Sequence, residues 1–210
     1  MKEFFRWDGP LMRFLNSVAD MILLSMLWAV FSLPVVTLGA STAALYSIVM
    51  RYSEDDTMLL RRFWKAFREN LKRGSIAGLI FMGYAVLFAG GVSVLNSMAT
   101  VNSAFKIAIW VAGVFCASIC VYTFPLLSQF DQTLMQTMRN ALIISMCNLP
   151  STLLVLLIHA IPVFTAIVNP DMFLSQALPF LSFMGAGTIA LLSAWVIKRV
   201  LRKYIPQTEK

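Results

Sequence analysis

Few side chains in this sequence could do chemistry, and they are scattered. Asp20 is the one carboxylate inside a long apolar run, His159 is the only histidine, and Cys116, Cys120 and Cys147 all fall within apolar stretches. Cys116 and Cys120 share a helical face at i and i+4, but two thiols with no histidine or carboxylate beside them make a poor metal site. The chain has no phosphate-cradling glycine loop, no two-histidine zinc helix and no Ser/His/Asp set. Neither an enzyme nor a metal or other cofactor is therefore expected. Two polar residues remain to be placed. Asp20 should sit near one end of its span, with Arg51 as its expected ion-pair partner, and His159 should be a neutral, hydrogen-bonded packing residue. For both, a proton or ion relay is the competing reading.

The elements that hold these residues are membrane elements. Of 210 residues, 59% are hydrophobic and 13% charged, against about 45–50% apolar and about 25% charged in soluble domains. One water-soluble core of this size cannot bury that much apolar surface, because even a 150-residue domain hides only about 70% of what its unfolded chain exposes. The net charge of +7 would suggest nucleic acid in a soluble domain. Here the basic residues cluster in short segments between apolar runs, as in the cytoplasmic loops of multi-pass proteins, so no nucleic-acid partner is expected. Three cysteines in apolar runs also argue against an oxidised extracellular scaffold.

A crossing helix needs about 20 apolar residues. Six stretches qualify: residues 15–33, a short one over 40–50, then 75–95, 105–127, 149–168 and 177–197. Pro34 ends the first, since it has no amide hydrogen to continue a helix. With six crossings and both termini cytoplasmic, nearly every Lys and Arg lies inside and only Lys106 falls outside, which requires the short stretch to cross and Pro34 to mark an extracytoplasmic corner. A cleaved leader is not expected, because Asp20 interrupts the first run and a return helix follows at once. The expected class is an all-α polytopic membrane protein of about six transmembrane helices in one domain. Its parts are an N-terminal hairpin (1–53), two units of interfacial helix plus hairpin (57–127 and 132–197) and a basic cytoplasmic tail (198–210).

Two segments are amphipathic. Leu60, Phe63, Trp64, Phe67 and Leu71 recur at helical spacing, while Arg61, Arg62, Lys65, Arg68, Lys72 and Arg73 take the other side. This predicts an interfacial helix at the bilayer surface, started by Asp55, Asp56 and Thr57. Residues 132–148 form a second, less charged one that ends at Pro150. Phe63-x-x-Ala66-Phe67 and Met138-x-x-Ala141-Leu142 occupy equivalent places, which suggests a weak internal repeat. After Pro34, Gly39, Ala40, Ala43 and Ala44 make two overlapping small-x-x-x-small pairs, a face that lets another helix approach closely. It is read as packing of the first hairpin or as a docking face for a partner, with Thr37 or Ser41 as the helix cap.

The run Phe31-Ser32-Leu33-Pro34-Val35-Val36-Thr37-Leu38-Gly39-Ala40-Ser41-Thr42-Ala43-Ala44-Leu45-Tyr46 resembles the signature of the YesL-like family of uncharacterised bacterial membrane proteins. Phe63-Trp64-Lys65-Ala66-Phe67-Arg68-Glu69-Asn70-Leu71-Lys72 resembles its second recurring block, and the likeness extends over nearly the whole chain. The resemblance implies a role beside carbohydrate ABC importers in the cytoplasmic membrane of Gram-positive bacteria. It supplies no catalytic or binding residues. The expected function is an auxiliary subunit bound to the permease subunits of such an importer through Gly39, Ala43, Ala44 and residues 60–73. A small-solute transporter acting alone is the alternative, and a regulatory sensor built on the cationic segment is a third reading.

Overall fold

The computed structural model describes residues 10–52, 58–97 and 102–204, and every element in it is helical. Helix α1 (Pro10–Ser32) is followed by a 3-10 turn (Val35–Thr37) and the short α2 (Leu38–Val49). Then come α3 (Leu59–Ser97), α4 (Ser103–Gln129), α5 (Leu134–Cys147) and α6 (Leu149–Val168). The last rod, α7 (Phe173–Leu201), opens with π-turns at Phe173–Ala177 and Leu181–Gly185 and becomes a regular α-helix from Ala186. Pro179 lies between those turns and has no amide to give its own helix, which fits a local change of hydrogen-bond register.

Among the described residues, four helices are long and apolar enough to cross a membrane: Phe14–Ser32, Leu59–Leu95, Ser103–Gln129 and Phe173–Leu201. A bent pair, Leu134–Cys147 and Leu149–Thr165, makes a fifth if counted as one span. The chain is a multi-pass helical membrane protein. The short second stretch is the one that falls out of the count. At 12 residues α2 is about 18 Å long, against a hydrocarbon core of about 30 Å. It is wrapped by α1, α3, α4 and α7, so its apolar residues face protein rather than lipid.

Segment 59–73 is also not a separate interfacial helix. It runs unbroken into the third span as one helix of 39 residues, about 58 Å long and so nearly twice the hydrocarbon thickness. No proline interrupts it, and Gly74 lies against α2 instead of acting as a break. The second amphipathic segment does stand alone. Gln136 Oε1 accepts the Thr133 amide at 3.2 Å at the start of α5. At its far end Asn148 leaves helical geometry (φ −130°, ψ 53°), Pro150 follows in the first turn of α6, and the axis turns by 108°.

Neither expected cap serves α2. The Thr37 hydroxyl lies 2.7 Å from Phe31 O and 2.8 Å from Pro34 O, which closes the corner. Ser41 Oγ donates to Leu38 O at 2.9 Å and meets Ser32 Oγ at 2.6 Å. The expected acidic start of the 59–73 segment, Asp55, Asp56 and Thr57, lies outside the described residues.

Candidate functional site

The site is built on one seam. Gly39 of α2 faces Gly74 and Gly78 of α3, and a Cβ on Gly39 would run into the Gly74 carbonyl oxygen and come within 2.8 Å of the Gly78 backbone. A Cβ on Gly74 would meet Ala40 Cα at 2.7 Å. Where two backbones approach this closely, only glycine fits. Ala40, Ala43 and Ala44 are fully buried in the same core. The small-residue face read as a docking surface is thus closed by the chain's own α3, and no partner can reach it. The sequence reading missed the other side of the seam, although Gly74-x-x-x-Gly78 is itself a close-approach spacing.

The seam fixes which way α3 faces. Phe63 and Phe67 turn inward, with Phe63 fully buried, and Phe31 at the end of α1 stacks among Phe63, Trp64 and Phe67 with ring centroids 4.9–5.6 Å apart. Leu60, Trp64 and Leu71 turn outward and remain 58%, 47% and 41% exposed. Arg61, Lys65, Arg68 and Lys72, all exposed, flank this stripe. The aromatic face predicted as one surface is therefore divided into an inner half that holds the helix and an outer half that is open. Arg73 is not part of the open half. It pairs with Asp131 at 2.8 Å and donates to Gln132 O at 3.0 Å, tying α3 to the α4–α5 turn.

These contacts also place the Pro34 corner. Phe31 lies against Phe63 and Phe67, so the corner sits beside the basic stretch of α3.

A family model described as a protein of unknown function, DUF624, matches residues 21–91. That stretch holds the seam: the later part of α1, all of α2 and most of α3. No curated protein and no solved structure matches the chain. The DUF624 match thus covers the closed glycine face and the open basic stripe together and leaves out α4 to α7.

The isolated polar residues are engaged within the chain. Asp20 accepts from the Tyr52 hydroxyl at 2.7 Å, and the expected Asp20–Arg51 pair does not form, because Arg51 is turned toward Gln129 at the end of α4 (Nε to Oε1, 3.5 Å). His159 Nδ1 lies 2.9 Å from Val155 O, and a carbonyl only accepts, so Nδ1 carries a proton; Nε2 lies 3.4 Å from Tyr46 Oη. The two contacts join α6 to α2. A further link joins α1 to α7: the Gly187 amide donates to Ser25 Oγ at 2.8 Å, and Ser25 donates to Met21 O at 2.7 Å.

Proposed function

We propose that the chain is a non-enzymatic auxiliary subunit that docks onto a larger membrane assembly through the outer face of residues 59–73. One observation carries this reading: a stripe of Leu60, Trp64 and Leu71 stays open beside Arg61, Lys65, Arg68 and Lys72 on a helix whose other face is locked by the seam. Residues 74–97 alone span about 36 Å, enough for the hydrocarbon core, so the basic stretch extends beyond it. Its charge favours the cytoplasmic side. There it offers an apolar stripe rimmed by cations to an acidic, apolar partner surface.

The likeness of residues 31–46 and 63–72 to YesL-like proteins makes a carbohydrate ABC importer the assembly to test. The experiment is gentle extraction of the tagged full chain and recovery of importer permease subunits. Wild type is expected to bring the permease down. Lys65→Glu/Arg68→Glu and Trp64→Ala should lose it while the chain still inserts and stays monodisperse. Equal permease recovery with all three proteins would reject this face.

A further inference from the structure

α4 and α6 meet where Thr152 Oγ1 lies 3.2 Å from Tyr122 Oη and leave a gap beside that contact. Between them runs an open groove of about 540 Å³, lined by Ile107, Trp110 and Val114 of α4 and by Leu149, Leu153 and Leu156 of α6. The 108° turn at Asn148 brings α6 in at an angle to α5, and the side chains facing the gap are bulky. The groove's two hydroxyls are used elsewhere. Ser118 donates to Val114 O at 2.8 Å, while Thr152 Oγ1 lies 2.9 Å from Ser145 O and 3.0 Å from Asn148 O. An occupant therefore meets apolar surface almost alone. The lining has no small-x-x-x-small pair, the feature that lets a second helix pack closely.

A cation stands beside one end, on the α3 side of α4. Lys106 is the only Lys or Arg between Gly74 and Met138, it is half-buried, and among the described residues no carboxylate pairs with it. It lines a small hollow with Val92, Leu95 and Ile109, and Trp110 is the wall shared by that hollow and the groove. From Ile107 to Ser118 the groove follows α4 for about 16 Å, running from the α3–α4 turn toward the middle of the helix. Cation at the head-group end and apolar channel below it match the two parts of a membrane lipid in charge, polarity and direction.

We propose that this groove is a binding site for an anionic phospholipid, with one acyl chain between α4 and α6 and the phosphate at the Lys106 ammonium. The lipid fills the space that α6 leaves open. The site is independent of the docking face on α3.

The test is native mass spectrometry of the delipidated full chain, titrated with phosphatidylglycerol or phosphatidylcholine in detergent. Wild type should retain one phosphatidylglycerol in preference to phosphatidylcholine. Lys106→Glu should weaken phosphatidylglycerol retention about fivefold or more and remove the preference, since one basic residue contributes on the order of that factor at an anionic surface. Val114→Trp, which fills the channel, should lose both lipids; Leu153→Trp fills it from α6 should the first variant melt early. Glycerol phosphate alone should not compete, because it has no chain. Equal retention by wild type, Lys106→Glu and both groove-filling variants would overturn the proposal. So would full competition by glycerol phosphate, or a dimer that either tryptophan abolishes, which would make a second copy the occupant.

Discussion

The two amphipathic segments that precede a hairpin, residues 59–73 and α5, share a spacing and end in opposite ways. The first continues straight into its span, whereas the second stops at Asn148 and turns by 108°. Each has a buried alanine at its centre, Ala66 and Ala141, so the inner faces are comparable. The difference lies at the junction. Gly74 in the first is held against Ala40 and Gly39 by the seam, while Asn148 and Pro150 in the second leave no helical path. Glycine, usually a weak point in a helix, here lets two backbones touch inside an unbroken helix.

Gly39→Leu should break the contrast most severely. The collision is with backbone, so the loss should exceed the roughly 1–3 kcal/mol of ordinary overpacking, and folded protein should be lost in a thermal-melt assay of the detergent-solubilised chain. Ser75→Pro should come next, giving the first junction the break that the second has. It should cost about 3 kcal/mol or more and abolish permease recovery in whatever protein survives, because the basic stripe would no longer be aligned with the span. Ser25→Ala should cost about 1–2 kcal/mol in the same melt, as the buried Gly187 amide loses its acceptor across α1 and α7. Tyr52→Phe removes one hydrogen bond to a half-buried carboxylate and should cost about 1 kcal/mol. Pro150→Ala should be nearly neutral, since Asn148 geometry and the Thr152 hydroxyl still hold the turn, and a proline in the first helical turn is tolerated to begin with. A large loss in that last variant would move the cause of the turn from Asn148 to the proline.

Much of this architecture is visible in residue order. The apolar runs locate α1, α4, α6 and α7 to within a few residues, because a bilayer demands long uninterrupted hydrophobicity and little else produces it. Pro34 marks the end of α1, and Pro150 marks the α5–α6 junction, through the missing amide. Hydropathy could not tell whether α2 is apolar because lipid surrounds it or because protein does, and the structure shows protein. Periodicity could not tell that residues 59–73 and the following span share one axis, because a charged amphipathic stretch and an apolar one differ in composition without any break in the backbone. The exposed stripe of α3 was half legible. The basic positions 61, 65, 68 and 72 are exposed as the spacing put them, whereas Gly39 faces Gly74 and Gly78, and Ala43 and Ala44 are buried in the core. The Asp20–Arg51 pair failed for a related reason: sequence sets the depth of each residue but not which neighbour its side chain turns toward, and Tyr52 reaches Asp20 instead.

α3 is one unbroken helix with a locked inner face and an open outer face. Cysteine labelling at Phe63 and Trp64, adjacent residues of which the first is fully buried and the second half exposed, tests this directly in a chain whose three native cysteines are replaced by alanine. Trp64→Cys should react readily with a membrane-impermeant maleimide applied to the cytoplasmic side, while Phe63→Cys should stay unmodified over the same time. Equal labelling of the two, or reaction of Trp64→Cys only from the extracytoplasmic side, would contradict the account.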